Sequence, residues 1–284
     1  MRIAVTGATG RLGSQVVQLL AAQGEHEVVA LSRRALQADR RPGSVSEATA
    51  DYDDPPSLRA ALRGADTLVF ISSDGEAVRV LVHHQHVIQA AADCGVTHVV
   101  ALSGLDAELS SPFCYAVTYG HTERLLRDSR CGVSIARASI FTEFFLALLA
   151  PAASTGEVRL PAGDGRISLV SREDVARCLA ALAVAPPTGR HHDLTGPESL
   201  DLATIAAQAG DAWGTPVSYV DLPPAGYQAE LARSGEEPWW QYAYSTMFDS
   251  IRQQRWRRVS GEVRQLTGRD PVPVRDVLAQ QARG

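Results

Sequence analysis

The chain of 284 residues carries a formal charge of -5, is 45% hydrophobic and 21% charged, and contains no lysine, so all 27 basic residues are arginine. Such a composition belongs to a soluble globular chain long enough to bury a large core in one domain or two. The acidic balance gives no support to a nucleic-acid partner, no apolar run reaches the roughly 20 residues that cross a bilayer, and chemistry requiring a lysine is excluded. The first residues enter a strand with no basic region or cleavage site, so a cytoplasmic location and no membrane partner are expected. Cys94, Cys114, Cys131 and Cys178 form no CxxC and are expected to be reduced packing residues.

In chain order, the apolar run 3–6 reads as a strand and 11–22 as a helix, with Leu12, Val16, Leu19 and Leu20 at helical spacing. Gly7, Gly10 and Gly13 follow that strand and lead into the helix. In such a unit the first glycine permits a tight turn, the second lets backbone approach a pyrophosphate, and the third lets helix pack on strand. The helix N-terminus then offers unpaired N–H groups and a partial positive charge to phosphate. The spacing is GxxGxxG rather than the commoner GxGxxG, but its strand-turn-helix setting marks a dinucleotide site. A second strand, 27–31, ends in Ser32-Arg33-Arg34 with no acid at its tip. A guanidinium fork suits the oxygens of a 2′-phosphate, so Arg33, helped by Arg34 or Arg11, points to NADP(H); adjacent solvated arginines are the competing reading. Asp51 and Tyr52, following the third strand, are placed either against the adenine, as acceptor and stacking ring, or in a plain turn with an Asp cap.

Further helices at 57–62, 77–94 and 118–128 alternate with strands at 67–71, 98–102 and 134–136. Continuous apolar strands alternating with helices predict an α/β, doubly wound, mostly parallel sheet of the Rossmann type. Beyond 140 the pattern loosens, with helices at 172–183 and 202–210 and short strands at 192–194 and 217–220. The expected organisation is a dinucleotide-binding core over 1–140 and a small substrate lobe over 141–284, with some strands and helices of the latter returning to the core. Phe141, Phe144 and Phe145 begin the second part, and Tyr227, Trp239, Trp240, Tyr242, Tyr244 and Phe248 lie near its end. These aromatics form either a hinged cover over a flat, bulky substrate, with Phe141, Phe144, Trp239 and Trp240 touching it, or ordinary core. His83, His84 and His86 share one helix without converging, so no metal is expected. Arg252 to Arg258, with four arginines, reads as a solvated helix face or as a contact for phosphate or an acidic partner.

The segments Val5-Thr6-Gly7-Ala8-Thr9-Gly10-Arg11-Leu12-Gly13, Asp51-Tyr52-Asp53-Asp54 with Ser57-Leu58, Ile71-Ser72-Ser73, residues 100–104, Arg137-Ala138 with Phe141 and Glu143, Arg172-Glu173-Asp174-Val175 and Asp193-Leu194-Thr195-Gly196-Pro197-Glu198 occur in this order. In that order the chain resembles the atypical short-chain dehydrogenase/reductases, and within them the NmrA-like branch that includes type 2 NAD(P)H:quinone oxidoreductases, over roughly residues 1–222. The resemblance implies that Gly7, Thr9, Gly10, Arg11 and Leu12, with Gly13, hold the pyrophosphate and nearby ribose. It further implies Arg33 at the 2′-phosphate, Ile71, Ser72 and Ser73 on the adenosine side, Leu102, Ser103 and Gly104 on the nicotinamide side, Ser139 among the cofactor residues, and Gly104 beside the substrate.

Typical reductases of this superfamily carry a catalytic Tyr-x-x-x-Lys, whereas the corresponding helix here reads Tyr119-Gly120-His121-Thr122-Glu123. Carbonyl reduction needs a hydride and a proton or hydrogen-bond donor at the oxygen. An ammonium beside a phenol favours its ionised form and a carboxylate opposes it, so Tyr119 is expected to be a poor proton shuttle. Ser103 either polarises the carbonyl or caps backbone. Water or a phenol on the substrate would then deliver the proton, which suits quinones and hydroxylated aromatic ketones. Two functions remain open at this level. One is an NADPH-dependent reductase of an aromatic ketone or quinone, polyketide tailoring in antibiotic biosynthesis being one setting, acting as monomer or homodimer. The other is an NmrA-like regulator that binds the dinucleotide without turning it over; the aromatic second part favours the enzyme.

Overall fold

The computed structural model describes residues 1–33 and 45–281. In chain order the first half runs β1 (Arg2–Val5), α1 (Arg11–Gln23), β2 (Glu27–Ser32), β3 (Val45–Thr49), α2 (Pro55–Leu62), β4 (Thr67–Phe70), α3 (Ala77–Asp93), β5 (His98–Gly104), α4 (Cys114–Asp128) and β6 (Gly132–Ala138). The second half continues α5 (Thr142–Leu149), α6 (Ala152–Thr155), β7 (Glu157–Leu160), β8 (Arg166–Ile167), α7 (Arg172–Val184), β9 (His191–Leu194), β10 (Leu200–Asp201), α8 (Leu202–Trp213), β11 (Ser218–Asp221), α9 (Pro224–Arg233), α10 (Pro238–Arg252), α11 (Glu262–Thr267) and α12 (Val274–Gln281).

Seven strands make one sheet in the order β3-β2-β1-β4-β5-β6-β9, with β3–β2, β2–β1, β1–β4 and β4–β5 all parallel. β1 and β4 are buried along nearly their whole length, as the continuous apolar runs require of strands covered on both faces. The strand order reverses between β1 and β4, so the carboxyl ends of those two strands form the topological switch point where such sheets take their ligands. β3 is a half-exposed edge strand, Val45-Ser46-Glu47-Ala48-Thr49, without a continuous apolar run. Leu31, Leu58, Leu62, Phe70, Val87 and Leu126 lie in one core cluster beneath this half of the sheet.

The chain forms two compact units: 1–103 with 118–137 and 173–192, and 104–117 with 138–172 and 193–284. The sequence predicts a core over 1–140 and a second part over 141–284 with some strands and helices returning to the core; the units divide the chain after 103, 117, 137, 172 and 192, with 173–192 belonging to the first. Two of these passages, after 103 and 137, fall at the carboxyl-terminal ends of β5 and β6, which no composition change marks.

Within the second unit, β7 pairs in parallel with β11 and β8 antiparallel with β10. The arginine run 252–258 is not a helix face. α10 ends at Arg252, and its arginines pair with scattered carboxylates: Arg252 with Asp221 at 2.7 Å, Arg255 with the buried Asp106 at 3.6 Å, and Arg258 with Asp193 at 2.5 Å. Between them Trp256 is 2% exposed and donates its indole N–H to Ser250 Oγ at 2.6 Å. Among the described residues no helix is long and apolar enough to cross a membrane.

Candidate active site

The turn after β1 is shaped by glycine at two points. Gly7 has φ +60°, a left-handed conformation, and a Cβ on Gly13 would lie 2.2 Å from the Gly7 carbonyl oxygen. The α1 N-terminus therefore sits directly on the turn. Its N-cap, Gly10, has no side-chain hydrogen bond, and no acid occupies the first helical turn. Thr6 Oγ1 accepts from Ile71 N at 2.8 Å and donates toward Val69 O at 3.4 Å, tying the tips of β1 and β4 together. Ile71 lies 3.6 Å from the Cβ position of Gly7. Gly7, Thr9, Gly10 and Arg11 are exposed, while Leu12 and Gly13 are buried, so Leu12 contributes packing through its side chain and only its backbone can face the turn. An uncapped helix end over a glycine-shaped cradle fits a pyrophosphate.

Arg33 is exposed immediately beyond β2, and Arg34 lies outside the described residues. Asp51 forms an Asp-capped turn, its Oδ1 accepting from Asp53 N at 3.0 Å and its N–H donating to Ser57 Oγ at 2.9 Å. The Tyr52 phenol donates to Ile71 O at 2.9 Å, and its ring meets Phe70 and His83 edge-on at 6.2 and 5.7 Å. Burial, ahead of smaller opposing effects from Thr6 and Arg33, pushes this phenol well above its ordinary pKa. Ser72 Oγ donates to Leu102 O at 3.1 Å. The three α3 histidines each find a separate partner. His83 meets Asp53 and Ser73, His84 meets Thr122, and His86 meets the Tyr52 carbonyl. No local pattern in the sequence ties His83 to Asp53, 30 residues earlier.

At the end of β5, Ser103 Oγ donates to Glu123 Oε1 at 2.8 Å. Glu123 is 1% exposed and accepts a bidentate pair from Arg137, Nε to Oε1 and Nη2 to Oε2, both at 2.7 Å. Arg127, one turn further along α4, adds a third contact at 2.8 Å. Where the superfamily's relay has its lysine, this chain has a buried carboxylate whose charge is met by two guanidinium groups. It is not the free negative charge beside Tyr119 that the sequence suggests. Of the two sequence readings of Ser103, the backbone cap needs correction, because its hydroxyl donates to a carboxylate. Tyr119 is half-buried one helical turn before Glu123. Arg137 stands out in the sequence only through a family motif, and no local pattern pairs it with Glu123.

In the second unit Gly104 and Ser139 are buried, Ser139 donating its N–H to Leu194 O at 2.9 Å and accepting from Ser168 Oγ at 3.4 Å. The aromatic residues separate into two kinds. Phe145, Tyr227 and Phe248 pack together as core. Phe144 stacks on Tyr244 at 6.3 Å and Tyr244 meets Trp240 at 6.0 Å, while Trp239 packs on Tyr115 and Tyr242 at 6.0 and 5.7 Å. Phe144, Trp239, Trp240 and Tyr244 are half-buried, leaving aromatic surface available to a ligand. Phe141, also half-buried, precedes α5 and carries the Arg172 guanidinium over its ring at 5.5 Å. Glu143 accepts from Arg172 N with both oxygens, at 3.1 and 3.2 Å, at the start of α7.

Residues 7–186 match the NAD(P)H-binding family model. Quinone oxidoreductase 2 of Escherichia coli K12 is 32% identical over 236 residues, 82% of each chain. The structure of the Escherichia coli NADPH-dependent quinone oxidoreductase complexed with NADPH superposes with a TM-score of 0.92 at 28% identity, over 98% of this chain and 99% of the other. The (4-alkanoyl-5-oxo-2,5-dihydrofuran-3-yl)methyl phosphate reductase of Streptomyces griseus is 29% identical over 284 residues, 99% of this chain and 98% of its own. Triphenylmethane reductase from Citrobacter, complexed with NADP(H), gives a TM-score of 0.90 at 25% identity over 99% of both chains. With a glycine-shaped phosphate turn at the switch point of a doubly wound sheet, the chain belongs to the NAD(P)H-binding family, as an oxidoreductase of the atypical short-chain dehydrogenase/reductase, NmrA-like type.

Proposed function

We propose that this oxidoreductase uses NADPH to reduce a flat, conjugated carbonyl compound of the quinone class, and that the chain binds and orients its reactants without a tyrosine–lysine proton relay. The observation that carries this reading is the buried Glu123–Arg137 pair at the relay's lysine position. A substrate suited to such a site is one whose reduced oxygen is stabilised by its own conjugation. When bound, the cofactor supplies the hydride; the resulting hydroquinone anion takes its proton from water, or from a phenol of the substrate. The turn at Gly7 to Gly13 would hold the pyrophosphate, Arg33 the 2′-phosphate, and the half-buried ring surfaces of Phe144, Trp239 and Trp240 the flat face of the substrate. The quinone and dye reductases among the relatives support an aromatic substrate. The same relatives favour turnover over a purely sensing role.

The test is NADPH oxidation at 340 nm with 1,4-naphthoquinone, a hydroxylated aromatic ketone and cyclohexanone. Turnover is expected with the conjugated compounds and not with cyclohexanone. Tyr119→Phe is expected to retain activity to within about tenfold, below the range of a general acid; a thousandfold loss would restore the tyrosine as proton donor. Removing the phosphate's guanidinium in Arg33→Ala is expected to raise the KM for NADPH about tenfold, as loss of a charge-assisted contact should. The KM for NADH should be unchanged, and an equal rise for both cofactors would remove Arg33 from the 2′-phosphate.

A further inference from the structure

Beyond β4, each residue of Ile71-Ser72-Ser73 is held by a hydrogen bond from a distant side chain or to a distant carbonyl. Tyr52 donates to Ile71 O, Ser72 donates to Leu102 O, and Ser73 Oγ lies 3.1 Å from His83 Nδ1. The last of these is one link of a longer chain. His83, with a side chain 10% exposed, places Nε2 2.8 Å from Asp53 Oδ1, and Arg79 Nη2 reaches Asp53 Oδ2 at 2.5 Å. The Arg79–Asp53 pair is exposed and adds little to stability. Its consequence is local, because hydrogen bonds from Arg79 and then His83 hold the Asp53 carboxyl below the usual carboxylate range. A carboxylate only accepts, so Nε2 of His83 carries the proton. Where the imidazole is neutral, Nδ1 is then an acceptor and the Ser73 hydroxyl donates to it. With its proton committed, the Ser73 oxygen offers only lone pairs outward. It can receive an amine or a hydroxyl, and it repels a phosphate oxygen.

We propose that Asp53, His83 and Ser73 form a relay that fixes Ser73 as a hydrogen-bond acceptor for an amino or hydroxyl group on the adenosine half of the dinucleotide, with His83 as a positioning residue for cofactor affinity. The proposal rests on the reading that the β1–β4 edge takes NADPH. Two substitutions divide the histidine's contacts. His83→Gln keeps a donor near the Nε2 position for Asp53 and loses the acceptor at Nδ1, whereas His83→Asn keeps an acceptor near Nδ1 and loses the contact with Asp53.

The experiment is NADPH titration by nucleotide fluorescence, with kcat and KM from the 340 nm assay. Ser73→Ala and His83→Gln are each expected to raise the Kd about five- to tenfold, the value of one net hydrogen bond. Together they should be no worse than either alone, because both remove the same bond. His83→Asn is expected to recover binding to within about twofold of the unaltered protein, and the changes should fall on the KM for NADPH more than on kcat. A merely structural histidine would make the two substitutions equivalent, and that result, or unchanged binding by Ser73→Ala, would overturn the relay while leaving the cofactor reading intact. Failure of the unaltered protein to bind NADPH would overturn both.

Discussion

Glu123→Leu is expected to destabilise the fold by about 3–5 kcal/mol, the cost of leaving a buried charge without its partner. Arg137, whose side chain is 13% exposed, would lose both of its carboxylate contacts, and Ser103 would lose its acceptor. Arg127 is 53% exposed and would remain solvated, so it adds little to the cost. Glu123→Lys, which rebuilds the superfamily's Tyr-x-x-x-Lys pattern, should be at least as damaging, because it sets an ammonium where the Arg137 guanidinium already lies 2.7 Å from the present carboxylate. The triple variant Glu123→Leu, Arg137→Leu, Ser103→Ala removes the buried carboxylate with its bidentate and serine partners, leaves only the exposed Arg127, and should recover most of the loss, since apolar replacement of a buried pair is often neutral. Urea unfolding with the slope checked for constancy measures all three. A Glu123→Leu protein within about 1 kcal/mol of the unaltered chain would show that the pair is not the structural element described here.

The second large effect is acid destabilisation through His84. This residue is fully buried, with its ring edge-on to Phe70 at 5.0 Å. Thr122 donates to Thr118 O at 2.7 Å and therefore accepts from His84 Nδ1, 2.6 Å away, which leaves Nε2 as a buried lone pair without a partner among the described residues. Burial, and then the nearby His83, lower its pKa from 6.5 to about 3. The unfolded chain therefore binds a proton at His84 between those values that the folded chain does not. Stability present above pH 6.5 is lost as pH falls, by about 1.4 kcal/mol per unit, or about 2 kcal/mol by pH 5. Other histidines and carboxylates titrate too, so the informative quantity is a difference. His84→Leu should show a shallower loss of unfolding free energy between pH 6.5 and 5, by about 1 kcal/mol per unit. Parallel curves for the two proteins would exclude His84 as the source.

The legible features of this chain were local ones. The Gly7-Gly10-Gly13 turn, the buried strands at 3–6 and 67–71 and the α1 and α3 helices follow from the period of apolar residues and from the conformations glycine permits. Those signals are complete within a dozen residues. β3 was not delimited because an edge strand with one solvated side needs no continuous apolar run, and Val45-Ser46-Glu47-Ala48-Thr49 has none. The C-terminal aromatics could not be sorted by type, since Phe248 and Trp240 look alike in sequence while only the first is fully enclosed.

By itself, then, the sequence determined the fold class, the phosphate turn and the absence of a relay lysine, all of which depend on residue type and short-range spacing. Only the tertiary structure decided what occupies the lysine's place. Glu123 on α4 meets Arg137 on β6 and Ser103 on β5, and Asp53 meets His83 across 30 residues. It also decided that the arginines at 252, 255 and 258 pair with Asp221, Asp106 and Asp193. A charged side chain has no periodic signature of its partner. The pairing is chosen by which strand ends and helix faces the topology brings together, and in the buried cases it is enforced because an unpaired charge away from water costs several kcal/mol.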